Sequence, residues 1–143
     1  MAHTLEFIKW DRARYGLDIP AIDREHESLV ELMGTVHTLH QAQAGRAALC
    51  AALGDLLAFA RRHFATEEAY MARTAYAELA GHARLHQQIL ERAGTFAAEL
   101  ERTGTLSHEF FDFLAVWLHG HMAGLDAQYA VDSAGAAART ATR

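Results

Sequence analysis

The sequence predicts an all-α protein, specifically an antiparallel up-down-up-down four-helix bundle preceded by an N-terminal arm. Three observations carry this. The chain has 143 residues and a single proline, with Ala, Leu, Glu, Arg and Gln abundant, a composition that favours helix. Apolar residues recur at helical spacing in four separate runs, and no segment shows the period-two, β-branched pattern of a strand. The runs are joined by short loops, each of which forces antiparallel neighbours.

The elements follow in order. Residues 1–18 form a non-repeating arm whose Phe7, Ile8, Trp10 and Tyr15 are expected to pack over one end. Pro20 suits a first helical turn, and Ile22, His26, Leu29, Val30, Met33, Val36, His37 and His40 then recur on one side until QAQAG breaks the pattern at Gly45. A second helix from Arg46 to about Arg73 lines up Leu49, Leu53, Leu56, Leu57, Ala60, His63, Phe64 and Glu67. The third, from about Tyr76 to Glu101, aligns Leu79, His82, His86, Ile89, Ala93 and Phe96, weakened locally by Gly81 and Gly94. Thr103-Gly104-Thr105 makes a short turn, with Ser107 or Thr105 as the cap of the fourth helix. That helix carries Phe110, Phe113, Leu114, Trp117, Leu118 and His121 and runs to about Tyr129. The bundle with its arm is expected to span residues 1–131, leaving 132–143 as a disordered tail.

Bulk properties narrow the function. About half of the residues are hydrophobic (51%), enough for one domain with a real core. The formal charge is −5, and no basic, aromatic-interleaved run would track a phosphate backbone, which argues against nucleic acid. The N-terminus lacks a signal-peptide pattern, and no window approaches 18 uninterrupted apolar residues. The expectation is a soluble, cytoplasmic protein with no membrane partner. The single cysteine, Cys50, excludes an internal disulfide and a thiolate cluster, and reads first as a buried small apolar residue, with a redox role still open.

The ten histidines carry the chemistry. Residues four apart lie on one helix face about 6 Å apart along the axis, so both can reach one metal cluster. His63 with Glu67 and His82 with His86 are such pairs. Spacing of this kind also fits a solvated face or a hydrogen-bonded core histidine. Each pair, however, falls within the apolar stripe of its helix, where an unpaired polar group costs about 1 to 3 kcal/mol by mutational estimates. His26 and His121 lie on the inner stripes of the first and fourth helices. In an antiparallel bundle all of these positions meet at the same end.

The other histidines fail the test. His37 shares the angular position of His26 but lies roughly 16 Å further along the axis, and His40 further still. His119 is about 200° around from His121 and should face solvent or a neighbouring molecule. His108 belongs to the far end of the fourth helix, and His3 to the arm. Five imidazoles plus Glu67 exceed one ordinary site, so two metals are implied, together with a second bridging anion, for which Asp126 is the best candidate.

The segments IDREH, HFATEEAYM, HARLH and WLHGHMAGLD, in this order and at these separations, resemble the hemerythrin family and specifically its single-domain bacterial members. The resemblance covers about residues 7–130. It implies that His82, His86 and His121 bind one iron and His26 and His63 the other. Glu67 and Asp126 would bridge the two irons, with an oxo or hydroxo group as the third bridge. The iron bound by His26 and His63 would keep an open position for dioxygen. The implied function is reversible dioxygen binding for carriage, storage or sensing, with no catalytic turnover and with dioxygen itself as the partner; no protein recipient is specified by the sequence. The alternative is a di-iron oxidase, peroxidase or nitric oxide reductase using the same centre. Trp117 and Leu118 resemble pocket-lining positions, with Phe64 and Trp10 as further candidates, although core packing explains all four equally well.

Chemistry favours binding over oxygen cleavage, because two carboxylates and five neutral imidazoles stabilise high-valent iron less than the carboxylate-rich ferritin-like pattern. Imidazole and carboxylate donors suit iron, and zinc or manganese also fit such a site. His121 and Asp126 are five residues apart, about 140° around an ideal α-helix. If both face one cluster, a π-type bulge or a helix end is expected around Gly120 to Gly124. Glu25 stands where many relatives have Gln, and Ala77 where proline is frequent, which places any change in the surroundings of the ligands and in the loop between the second and third helices. Glu68, about 100° from Glu67, is expected to be solvated. Tyr129 is expected either to hydrogen-bond near Asp126 or to cap the end of the bundle.

Overall fold

The computed structural model describes Trp10, Ala13 and residues 16–132. The expectations for Phe7, Ile8 and Tyr15, for His3 and for the tail at 133–143 lie outside the described residues. Helix α1 spans Pro20–Gln41, α2 Arg46–Arg73, α3 Leu79–Thr103 and α4 His108–Val116. Helix α4 passes directly into a π-helical segment, Trp117–Leu125, and residues 126–132 return to α-helix. The described residues contain no strand, and no helix among them is long and apolar enough to cross a membrane. The architecture is the predicted four-helix bundle.

Each connection has a local cause. Pro20 opens α1, where its missing N–H costs nothing. Ahead of it the Leu17 N–H donates to Asp23 Oδ1 at 2.8 Å, tying the incoming chain to the first turn. The first loop turns at Gln43, which adopts φ 54°, and Gly45 leads into α2 with an extended backbone. After α2 the chain reverses at Ala75, at φ 53°, and the Tyr76 N–H donates to Met71 O at 2.9 Å. Tyr76 therefore lies in a turn, and α3 begins at Leu79, later than the expected start near Tyr76. Between α3 and α4, Gly104 adopts φ 78° and its N–H donates to Leu100 O at 2.7 Å. A side chain there would be strained and would meet the Arg46 guanidinium at 3.2 Å. Ser107 occupies the capping position of α4, but its buried hydroxyl makes no capping bond.

The apolar interior has two parts. The main core runs through the bundle and includes Leu29, Met33, Val36, Leu53, Leu56, Phe64, Leu100, Phe110, Leu114, Trp117 and Leu118. A smaller cluster of Ile22, Met71 and Tyr129, flanked by Leu17, Ile19, Tyr70, Tyr76 and Leu79, closes one end. Burying each large side chain of this kind contributes about 1.5–3 kcal/mol. Cys50 differs from expectation in being only half-buried, against the edge of the main core. His37 and His40 lie against Phe111, with ring centroids 5.7 and 4.6 Å away, at the end opposite the small cluster.

Candidate metal centre

Between the two apolar clusters lies a polar layer. His26, His63, Glu67, His82, His86, His121 and Asp126 are all buried, none more than 5% exposed. Helical periodicity explains the placement. His26 follows Ile22 by one turn on α1, Glu67 precedes Met71 by one turn on α2, and Asp126 precedes Tyr129 on the last stretch of helix. Every one of these residues thus continues an inward-facing stripe that is apolar above and below it.

The seven side chains form two overlapping groups. Glu67, His82, His86, His121 and Asp126 make one, and His26, His63, Glu67 and Asp126 the other, with the ligand-type atoms of each group within 4.8 Å of one another. Glu67 and Asp126 belong to both. His63 Nε2 and His86 Nε2 approach the same oxygen, Glu67 Oε1, at 2.9 and 3.3 Å. His82 Nε2 and His121 Nε2 approach Asp126 Oδ1 at 2.8 and 3.2 Å, and stand 3.1 Å from each other. His26 Nε2 lies 3.1 Å from Asp126 Oδ2 and 3.4 Å from Glu67 Oε2.

These short distances do not amount to a satisfied hydrogen-bond network. Nε2 of His26, His63 and His86, Glu67 Oε1 and both Asp126 oxygens are buried without a hydrogen-bond partner of adequate geometry. Buried polar atoms left unpaired are costly, and so many converging on one small volume mark a donor set shaped for something that binds them all. The residues fit a metal-binding role: imidazole nitrogens and carboxylate oxygens, facing inward and dry.

Without a metal, the charges can be balanced only by protons. Burial opposes a charge on His26, but the close approach and attraction of the Asp126 and Glu67 carboxylates outweigh it and push its pKa up to about 10. Burial likewise acts to raise Glu67, yet His26, His63 and His86 together hold its carboxyl well below the usual range. Asp126 is held below its usual value against burial and the neighbouring charge of Glu67, through His121, His26 and His82. The pocket therefore favours two carboxylate anions compensated by positive charge.

His121 and Asp126 reach the layer together because of the π-helical segment. The Asp126 N–H donates to His121 O, an i to i+5 bond that places residues five apart nearly on one face. The distortion spans Trp117–Leu125 and so extends beyond the predicted Gly120 to Gly124.

Around the layer, Phe64 stacks on His86 with centroids 3.9 Å apart and planes at 8°. Trp117 is 5.8 Å from Phe64, and Leu118 is fully buried in the main core. Trp10 lies apart from these three, half-buried at the edge of the main core and facing a surface cleft with Asp18, Pro20, Asp23, Arg24 and Glu27. A larger apolar cleft of about 600 Å³ between α3 and the fourth helix, lined by Leu85, Ile89, Phe113 and Val116, reaches Trp117 and His121.

Three residues around the site exceed or refine what periodicity indicated. Glu68, expected to be solvated, is only partly so: its Oε2 accepts a hydrogen bond from His86 Nδ1 at 2.9 Å. Glu25 Oε1 accepts from His63 Nδ1 at 2.8 Å, and its other oxygen accepts from Thr66 Oγ1 at 3.3 Å. Tyr129 resolves in favour of a hydrogen bond, but to Glu67 Oε2, at 2.6 Å. The usable signal was adjacency, since Glu25 and Glu68 sit next to His26 and Glu67, on the flanks of the inward stripes.

An antiparallel four-helix bundle enclosing a buried histidine and carboxylate cluster able to hold metal defines the class of protein. Residues 17–130 match the family described as the Hemerythrin HHE cation binding domain. The chain belongs to the hemerythrin family. It is 28% identical over 120 residues to the bacteriohemerythrin of Stenotrophomonas maltophilia, covering 84% of this chain and 76% of that one. With the bacteriohemerythrin of Pseudomonas aeruginosa it shares 28% identity over 113 residues, 78% of this chain and 72% of the relative. In three dimensions it resembles the crystal structure of a hemerythrin point mutant with a TM-score of 0.78 at 20% identity, over 87% of this chain and 95% of the other.

Proposed function

We propose that this chain binds dioxygen reversibly at a di-iron centre, for oxygen carriage, storage or sensing, as a cytoplasmic protein without catalytic turnover. The observation that carries this reading is the pair of overlapping donor groups that share Glu67 and Asp126, with their inward atoms crowded but unpaired. His82, His86 and His121 would hold one iron, His26 and His63 the other, and Glu67 and Asp126 would span both. Two iron ions joined by an oxo or hydroxo group supply, when bound, the electrons that dioxygen takes and returns. In this reading the unit comprises residues 1–131.

The protein's own residues supply orientation and dryness. Tyr129 holds Glu67 Oε2, leaving Oε1 directed at His63 and His86. Phe64, Trp117 and Leu118 wall the layer on the side of the main core, and Ile22, Met71 and Tyr129 on the other, which supports exclusion of water from both directions. Five imidazoles against two carboxylates is a donor balance that suits reversible binding more than oxygen cleavage.

Anaerobic reconstitution with ferrous iron tests this. The expected result is two irons per chain and a visible charge-transfer band that appears on adding oxygen and disappears under vacuum. Irreversible oxidation with turnover of an added substrate would instead support an oxidase, peroxidase or nitric oxide reductase. Metal uptake with no oxygen response would leave a structural metal bundle.

A further inference from the structure

Two carboxylates outside the polar layer each hold one of its histidines from behind. His63 Nδ1 donates to Glu25 Oε1 across 38 residues, at 2.8 Å, and His86 Nδ1 donates to Glu68 Oε2 across 18 residues, at 2.9 Å. A carboxylate can only accept, so in each pair the hydrogen sits on Nδ1. In the neutral ring this leaves the Nε2 lone pair facing inward, and both Nε2 atoms address the single atom Glu67 Oε1. The Thr66 hydroxyl lies 3.3 Å from the second oxygen of Glu25 and shares its hydrogen with Arg62 O, at 3.1 Å. The arrangement is selective: Nδ1 of His26 is buried with no partner at all.

The distribution matches the two donor groups. Glu25 backs a histidine of the group containing His26, and Glu68 backs one of the group containing His82 and His121. Both clamps also join helices, Glu25 linking α1 to α2 and Glu68 linking α2 to α3. We infer that Glu25 and Glu68 are positioning residues, one for each metal, which lock His63 and His86 with Nε2 inward and strengthen them as electron donors through an anionic partner. This rests on the two-metal reading of the site.

The test uses alanine and glutamine variants of both residues in the full chain. Glu25→Ala and Glu68→Ala should each weaken ferrous-iron binding at one of the two sites by about 10- to 100-fold in a chelator competition. Glu25→Gln and Glu68→Gln keep an acceptor oxygen without the charge; they should retain two irons and shift the reduction potential of the centre upward. Long-range proton–nitrogen spectra of the metal-free protein should show Nδ1–H on His63 and His86 in the wild type, lost only at His63 in Glu25→Ala and only at His86 in Glu68→Ala. Wild-type iron affinity, potential and ring spectra in the folded alanine variants would overturn the inference. Failure of the wild type to take up iron would instead overturn the metal reading, and the ring spectra would still decide whether the clamps exist.

Discussion

Tyr129 donates its phenolic hydrogen to Glu67 Oε2 at 2.6 Å across 62 residues of sequence, and both side chains are completely buried. The contact ties the last turn of the fourth helix to the carboxylate shared by both donor groups. Burial, reinforced by the nearby charges of Glu67 and Asp126, pushes the tyrosine pKa up, so the phenol stays a donor throughout the physiological range. Tyr129→Phe should lower stability by about 1.5–3 kcal/mol, the range for a hydrogen bond to a charged group, read as a fall in the denaturant midpoint. Iron affinity should fall with it, because Glu67 loses the partner that orients it.

The raised pKa of His26 predicts how metal binding depends on pH. In the metal-free chain this ring carries a proton up to about pH 10. A metal must displace that proton, so binding at neutral pH should release about one proton through His26, and affinity should climb as pH rises toward that value. Calorimetric titrations with zinc in buffers of different ionisation enthalpy would measure the release. A binding enthalpy independent of buffer would contradict the assignment.

The same shift governs the stability of the metal-free protein. The pKa of His26 is raised above its ordinary value of 6.5, so its contribution is fully present below about 6.5 and is lost as pH rises toward 10. Glu67 and Asp126 are shifted downward, and their contribution is present above the ordinary carboxylate range and lost as pH falls through their folded values. Thermal melts of metal-free protein should therefore fall off on both the acid and the alkaline side. His26→Gln should flatten the alkaline limb.

The π-helical segment makes a structural prediction. Deleting Gly120 absorbs the extra residue of the π segment and restores α-helical phase, so Asp126 keeps its face while His121, still five residues before it, stands about 140° away around the helix. Helix content by circular dichroism should persist, while iron stoichiometry falls. Gly120→Ala is the control: an added Cβ would meet only Val116 Cγ1, at an ordinary 3.8 Å. It should bind iron normally and gain up to about 1 kcal/mol of helix propensity.

Phe64 stacks face to face on His86 and tests the packing side of the site. Phe64→Leu keeps an apolar side chain but removes the ring, at about 0.5–1.5 kcal/mol for the lost stacking. Oxygen release from the reconstituted protein should also change, since the wall next to His86 loosens. A melting temperature and release rate equal to those of the wild type would assign Phe64 to neither role.

Helical periodicity by itself determined the bundle, the four helical runs and the common end at which five histidines and Glu67 meet, because an inward stripe with a 3.6-residue repeat records which face of each helix is buried. It also exposed the conflict between His121 and Asp126, since residues five apart stand about 140° around an ideal α-helix, and so pointed to a bulge or a helix end inside the segment that proves π-helical. Only the tertiary structure decided what stands behind the inward atoms. Glu25 and Glu68 lie on the flanks of their stripes, where spacing pointed Glu68 to solvent and gave Glu25 no partner, and Tyr129 stood open between a hydrogen bond near Asp126 and capping the end of the bundle. Their hydrogen bonds to His63, His86 and Glu67 depend on how neighbouring helices are rotated against one another and which ring nitrogen or oxygen is left facing outward. Those relations arise between helices, and no repeat along a single helix encodes them.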